Sequence, residues 1–85
     1  MIDLKIVFTD MFRKEYDKIK DKGMRKRIIK TISKLVEIPE SGKPLRHDFS
    51  DCRRVVIKPF RIIYRVEDEK LILYFFEHRK TVYRK

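Results

Sequence analysis

Residues 60–77, FRIIYRVEDEKLILYFFE, contain the stretch that decides the fold. β-Branched and aromatic side chains, which favour strands, dominate residues 60–66 and 71–77. The polar residues 67–70 separate these two runs. We therefore expect an antiparallel hairpin with a four-residue loop.

The expected hairpin has one apolar face and one mixed face, because side chains alternate along a strand. Its pairs are Val66 with Leu71, Tyr64 with Leu73 and Ile62 with Phe75. The apolar face belongs under helices and holds Phe60, Ile62, Tyr64, Val66, Leu71, Leu73 and Phe75. The other face holds Arg61, Ile63, Arg65, Ile72, Tyr74 and Phe76, with His78 just beyond. Arginines suit phosphates and rings suit bases, so this second face is a candidate surface for nucleic acid.

The strand before the hairpin adds positive charge to this candidate surface. Residues 53–65 contain five basic side chains and no acidic one. A two-residue loop of Pro59-Phe60 pairs Lys58 with Arg61 and puts Arg54 on the Arg61 face. A shift of one residue puts Arg53 there instead. We favour Arg54.

The rest of the chain divides by hydrophobic spacing and by proline. Apolar residues at helical spacing, such as Phe12, Tyr16 and Ile19, predict helices, and Pro39 ends the second one. The predicted elements are a strand at 4–8, helices at 10–21 and 24–37, a loop at 40–51, strands at 52–58, 60–66 and 71–77, and an extended piece at 81–83. The order β-α-α-β-β-β(-β) predicts a single α+β domain over residues 1–85. In it, two antiparallel helices pack on one face of an antiparallel sheet.

Charge indicates the class of partner. Lys and Arg outnumber Asp and Glu by 23 to 13, which gives a net charge of +10. This excess implies a polyanionic partner, which is a nucleic acid, an anionic membrane surface or an acidic protein. The acid-free helix segment at residues 22–34 is either a solvated face or a surface that binds such a partner, a nucleic acid or an acidic protein.

Other residue types point away from secretion, membrane insertion and metal chemistry. The single cysteine, Cys52, cannot form an internal disulfide, which suits a reducing cytosol. No secretory signal is visible, and the longest apolar run, 71–76, is too short to span a bilayer. His47, His78 and Cys52 lack the close spacing of metal ligands. We therefore expect a cytoplasmic protein without membrane contact, metal or cofactor.

The C-terminal half contains the arginine-led strand FRIIYRV at 60–66, the acidic turn Glu67-Asp68, a hydrophobic strand and the closing HRKTVY at 78–83. In this order and spacing the motifs resemble those of the RelE/ParE toxin superfamily. The N-terminal strand and two helices follow the family order, so the resemblance covers nearly the whole chain. It implies a RelE-like fold and a toxin of a type II toxin–antitoxin system, bound in a hetero-oligomer by an acidic antitoxin.

RelE-type toxins cut messenger RNA in the ribosomal A site without a metal, through attack of a ribose 2′-hydroxyl on the adjacent phosphate. For this chain the resemblance implies a ribosome-dependent endoribonuclease (mRNA interferase) that blocks translation. Its implied catalytic residues are Arg54, Arg61, Arg79 and Tyr83. In the family, the arginine that Arg61 matches stabilises charge on the phosphate, and the tyrosine that Tyr83 matches assists proton transfer. We expect RNA contacts from Arg53, Lys58, Arg65, Tyr74 and His78. The family's second basic residue on the preceding strand is replaced by Val56.

The identity of the general base stays open. The candidates are Tyr83, Glu77 and His78. A tyrosine has a usual pKa of about 10 and needs cationic neighbours to lower it. Histidine has the better unperturbed pKa for acid–base work. The resemblance alone ranks Tyr83 first.

Two alternatives to the nuclease also fit the sequence. One is a ParE-like toxin that binds and inhibits DNA gyrase without doing chemistry. The other is a plain nucleic-acid-binding domain. The conjunction of Arg61, Arg79 and Tyr83 favours the nuclease, whereas Val56 favours the gyrase inhibitor.

Overall fold

The computed structural model describes residues 4–45 and 51–78 of the chain. Within them the chain forms β1 (Lys5–Phe8), α1 (Asp10–Lys18), α2 (Lys22–Glu37), a 3₁₀ helix (Pro39–Ser41), β2 (Lys43–Pro44), β3 (Arg53–Ile57), β4 (Phe60–Glu67) and β5 (Lys70–His78). The α+β class and the order of the predicted elements are confirmed. The predicted extended piece at 81–83 lies outside the described residues.

The strands form one mixed sheet in the order β1-β5-β4-β3-β2. Neighbouring strands from β2 to β5 are antiparallel, but β1 pairs with β5 in parallel. The prediction of a purely antiparallel sheet is therefore wrong at β1. Parallel pairing requires a long crossover connection, and here that connection includes both helices.

Both helices are capped by the residue that precedes them. The Thr9 hydroxyl accepts a hydrogen bond from the Phe12 N–H at 3.2 Å, and the Asp21 carboxylate accepts from Gly23 and Met24 at 2.8 and 3.2 Å. These caps satisfy N–H groups that have no partner within the helix. Because Asp21 caps α2, that helix begins two residues earlier than predicted. The first helix, α1, ends at Lys18, three residues earlier than predicted.

The hydrophobic core lies between the helices and one face of the sheet. The buried helix residues are Phe12, Ile19, Ile28, Ile32 and Leu35, and the sheet contributes Ile57, Ile62, Tyr64, Leu71, Leu73 and Phe76. The face turned away from the helices is called the outer face below. It holds Arg54, Val56, Arg61, Ile63, Arg65, Ile72, Tyr74, Phe75 and Glu77.

A β-bulge in β5 changes the predicted hairpin register. Tyr64 pairs with Leu73 as expected, but Ile63 pairs with Phe75, so Tyr74 is the extra residue. The predicted pair of Ile62 with Phe75 is wrong, because Ile62 pairs with Phe76. Phe75 therefore lies on the outer face. Phe76, predicted for that face, is buried in the core with its ring centroid 4.5 Å from that of Phe12.

Thr9 stabilises the bulge through hydrogen bonds to its backbone. Its hydroxyl lies 2.8 Å from the Leu73 carbonyl oxygen and 2.7 Å from that of Tyr74, and can donate to either. Its N–H also donates to the Leu73 carbonyl oxygen at 3.3 Å. The junction between β1 and α1 thus binds the backbone of the bulge directly.

The connections are shorter and more ordered than predicted. Glu67 pairs with Lys70, so the hairpin loop has two residues, Asp68 and Glu69, both with positive φ. The predicted loop at 40–51 includes part of the 3₁₀ helix and all of β2. No helix in the described ranges is long and apolar enough to cross a membrane.

Candidate nucleic-acid interface

The outer face brings Arg54 and Arg61 together on adjacent strands. Arg54 pairs with Ile63 and Val56 pairs with Arg61. Directly paired residues on antiparallel strands share a face, so the prediction that Arg54 shares the Arg61 face is confirmed. The predicted pair of Lys58 with Arg61 is wrong, because the turn is Lys58-Pro59 and Ile57 pairs with Phe60. A register difference of two residues leaves every side chain on its expected face.

Arg61 occupies the centre of the sheet, on β4 between β3 and β5. Its side chain is only 15% exposed, and its Nη1 lies 3.7 Å from Oε1 of Glu77, the residue paired with it on β5. The ion pair is longer than a hydrogen bond. The Glu77 carboxylate therefore partly neutralises the charge of Arg61 but does not hydrogen-bond to its guanidinium group.

The two rows of the outer face around Arg61 differ in chemistry. One row runs Arg54, Ile63, Phe75 and the next runs Val56, Arg61, Glu77. Ile63 is almost completely buried, at 1% exposure, and Phe75 is half-buried. Ile63 and Phe75 thus form an apolar strip between the row of Arg61 and the row of Arg65. The outer face therefore combines cations with a flat aromatic group.

Arg65 and Tyr74 lie together farther along the same face. Arg65 Nη2 lies 3.0 Å from Oε1 of Glu67, and this carboxylate raises the pKa of Arg65 above its usual range. The nearby Tyr74 phenol also raises the pKa of Arg65. Arg65 therefore already has a carboxylate partner and a phenol close by.

Arg53 lies on the opposite side of β3 from Arg54. It pairs with the buried Tyr64, and its Nη1 donates to the carbonyl oxygens of Gly42 at 2.7 Å and Glu40 at 3.2 Å. The structure thus places Arg53 among backbone acceptors, away from Arg54 and Arg61. RNA binding by Arg53 is not supported by this placement.

Lys58 extends the positive surface around the edge of the sheet. A hollow at this edge is lined by Arg27, Lys30, Thr31, Val56, Ile57 and Lys58. Two cations of α2 therefore reach the rim of the outer face, beside the position of Val56. Val56 itself is 50% exposed.

Three predicted site residues lie partly or wholly outside the described residues. His78 ends β5, where its backbone pairs with Phe60, but its side chain is outside the described part of the structure. Arg79 and Tyr83 lie wholly outside the described residues. In residues 4–45 and 51–78, no group of three or more His, Cys, Asp or Glu side chains is arranged to hold a metal ion.

The sequence did not indicate that two further residues lie beside the predicted site. Glu77 was considered as a base, but its contact with Arg61 depends on the bulge, which reverses the faces after Tyr74. Lys43 lies in a predicted loop, yet it pairs with Arg54. A Lys-Pro dipeptide carries no strand signal, so only the fold brings it to the sheet.

Comparisons with known proteins agree on one family. Residues 6–83 match the family model described as the ParE toxin of the type II toxin–antitoxin system parDE. A Methanocaldococcus jannaschii protein named as a candidate toxin, RelE4, is 32% identical over 69 residues, which cover 78% of this chain and 73% of that protein.

Solved structures show the same fold at lower identity. The Agrobacterium tumefaciens YoeB/ParE toxin aligns with a TM-score of 0.79 and 21% identity, covering 88% of this chain and 98% of that one. The toxin–antitoxin complex RelBE of Escherichia coli aligns with a TM-score of 0.75 and 18% identity over 88% and 95% of the two chains. The RelB–RelE complex of Methanococcus jannaschii aligns with a TM-score of 0.72 and 21% identity, covering 91% of this chain and 94% of that one. With the family match over nearly its whole length, the chain belongs to the ParE toxin family of type II toxin–antitoxin systems, within the RelE/ParE superfamily.

Proposed function

We propose that this toxin is a RelE-type endoribonuclease that cuts messenger RNA on the ribosome and so blocks translation. The observation that carries the proposal is the placement of Arg54 and Arg61 on one face of adjacent strands, with an aromatic residue, Phe75, in the Arg54 row. Guanidinium groups bind phosphate oxygens through two parallel hydrogen bonds. An RNA backbone crossing the outer face would meet both arginines.

The proposed reaction is attack of a ribose 2′-hydroxyl on the adjacent phosphate. It requires removal of one proton, stabilisation of the extra negative charge, and protonation of the leaving 5′-oxygen. Arg61 and Arg54 would stabilise the charge, with Arg79 as a third cation assigned by the family resemblance. Tyr83 would move a proton, again by resemblance.

Further positive charge supports RNA as the ligand. The hollow at the sheet edge gathers Arg27, Lys30 and Lys58 beside the outer face. These cations would hold the phosphates of the ribosome or of the message that flanks the cut. Such contacts release counterions, so binding should weaken steeply as salt increases.

An acidic antitoxin is the proposed protein partner in the cytoplasm. The chain carries a net charge of +10 in 85 residues. The related RelE proteins of E. coli and M. jannaschii were solved as complexes with their antitoxins. We infer that this toxin is held in a similar hetero-oligomer by a protein of opposite charge.

Primer extension on messages from cells that express the toxin tests the proposal. Wild-type toxin should give cuts at codon spacing within translated regions. Arg61→Ala should give none while its circular dichroism spectrum stays native. Arg13→Ala, an exposed arginine on α1, is the matched control and should cut like wild type. Normal cutting by Arg61→Ala would remove Arg61 from the mechanism.

A ParE-like gyrase inhibitor is the second candidate. The matching family model is described as ParE, and Val56 stands where RelE-type toxins have a second basic residue. The same cells provide the discriminating observation. Intact message together with altered supercoiling or breakage of plasmid DNA would support gyrase as the target.

A further inference from the structure

The segment from Pro39 to Leu45 is fastened to the sheet by side chains of its two neighbouring strands. The buried Tyr64 hydroxyl donates to the Pro39 carbonyl oxygen at 2.7 Å and accepts from the Gly42 N–H at 3.0 Å. Arg53 Nη1 donates to the Gly42 carbonyl oxygen at 2.7 Å. Leu45 N–H donates to the Cys52 carbonyl oxygen at 3.0 Å. We call this set of bonds the Tyr64 clamp.

Gly42 shows how closely the clamp holds the segment. A Cβ added at Gly42 would collide with the Tyr64 hydroxyl and lie 2.8 Å from the Arg54 carbonyl oxygen. Backbone and phenol are therefore in direct contact, with no room for a side chain between them. Any residue other than glycine would push the segment away from β3.

The clamp fixes the register in which β2 meets β3. Lys43 pairs with Arg54, and Pro44 pairs with Arg53. Directly paired residues point to the same face, with Cβ atoms about 4.5–5.5 Å apart. Lys43 therefore extends the row Arg54, Ile63, Phe75 by one strand, at the edge of the outer face.

Lys43 and Arg54 differ from the other outer-face cations in charge balance. Arg61 lies near Glu77, and Arg65 lies near Glu67. For Lys43 and Arg54, no carboxylate lies within 4.0 Å in the part of the chain that the structure describes. The site thus contains two adjacent positive charges that no acidic side chain among residues 4–45 and 51–78 neutralises.

We propose that Lys43 is a further phosphate-binding residue of this toxin and that Tyr64 is the residue that positions it. Lys43 would bind the RNA phosphate next to the one held by Arg54 and Arg61. It would supply, from the edge strand, a positive charge that Val56 does not provide. The proposal rests on the proposed function for its ligand, since it takes RNA to be what crosses the outer face.

Binding of a short single-stranded RNA, with 2′-O-methyl ribose to prevent cutting, tests Lys43. Affinity is measured by fluorescence anisotropy over a series of salt concentrations. Lys43→Met should weaken binding and reduce the slope of log affinity against log salt by about 0.7, the value for one lost phosphate contact on a single strand. Lys43→Arg should restore both. Lys5→Met, on the strand at the other edge of the sheet, is the matched control and should bind like wild type.

Combining Lys43→Met with Tyr64→Phe tests the positioning role. Tyr64→Phe removes only the hydroxyl and should weaken RNA binding about as much as Lys43→Met does. The double variant should bind no more weakly than either single variant, because both changes remove the same contact. Additive losses would show that Tyr64 acts on binding by another route.

The outcomes separate this inference from the proposed function. If Lys43→Met binds RNA like wild type while wild type cuts message on ribosomes, the Lys43 assignment is wrong and the nuclease stands. If Lys43→Met loses RNA affinity as expected while wild-type toxin leaves message in cells intact, the phosphate site is supported and the nuclease activity is wrong.

Discussion

Arg61 differs from Arg54 in how far its charge is already neutralised. Glu77 lies 3.7 Å from the Arg61 guanidinium, and both side chains are partly shielded from water. A phosphate that binds Arg61 must share the site with this carboxylate. If the outer face binds RNA as proposed, Glu77 therefore lowers its affinity for that ligand.

Replacing Glu77 with glutamine should tighten RNA binding by about twofold to fivefold, because partly exposed ion pairs contribute ~1 kcal/mol or less. Message cutting should persist, since Tyr83 ranks first as the base. The measurements are anisotropy with an uncut RNA and primer extension on ribosome-bound message. Glu67→Gln, at the partner of Arg65, is the control and should change binding less. Tighter binding with no cutting would instead identify Glu77 as the general base.

At the scale of the element, β4 and the first half of β5 were predictable and the second half of β5 was not. Alternation in FRIIYRV and the polar loop indicate the hairpin and place Arg61, Ile63 and Arg65 on one face. The bulge at Tyr74 depends on Thr9, more than sixty residues away in sequence. A local pattern carries no information about such a contact, so the predictions for Phe75 and Phe76 were reversed.

The second strand of the site shows the same limit. Alternation was enough to place Arg54 on the same face as Arg61, although the predicted turn was off by one residue and the pairing register by two. It could not predict β2, because Lys43 and Pro44 pair with β3 only through the Tyr64 clamp. Short edge strands depend on tertiary contacts more than on their own residues.

Because of the Tyr64 clamp, a side chain at Gly42 should destabilise the fold more than a side chain at Gly23. Gly42→Ala should lower the free energy of unfolding by about 1–3 kcal/mol, the usual cost of forcing extra atoms into a packed site. Gly23→Ala is the control, because its added Cβ would lie 3.2 Å from the Asp21 Oδ1, at the end of a side chain, in the first turn of α2. It should change stability by less than about 1 kcal/mol. Urea unfolding measures both, and equal losses would contradict the clamp.

At the scale of the whole molecule, stability should fall in alkaline solution. Burial raises the pKa of the Tyr64 phenol and of the Cys52 thiol above their usual values. A group with a raised folded-state pKa contributes its full stability below the unfolded pKa and loses it as pH rises through the folded value. Tyr64 should therefore stabilise the fold at neutral pH and lose that effect above about pH 10.

The comparison of wild type with Tyr64→Phe isolates this effect from titration of the many lysines. The difference between their free energies of unfolding should be constant from about pH 6 to 8 and shrink above about pH 10. Cys52→Ala separates the thiol, whose contribution should decline from about pH 8.5. Urea unfolding over a pH series measures these differences. A difference that grows with pH would mean that the phenol ionises more easily in the folded protein.

On the proposed function, the outer face stabilises a phosphate while the neighbouring 2′-hydroxyl attacks it. A reconstituted reaction of purified toxin, ribosomes and a message carrying one 2′-deoxynucleotide at the mapped cut site measures whether that hydroxyl is needed. We expect a cut in the all-ribose message, with a 5′-hydroxyl on the downstream fragment, and no cut at the deoxy position. Cutting that continues at the deoxy position, or no cutting of the all-ribose message when the toxin is bound to the ribosome, would contradict the proposal.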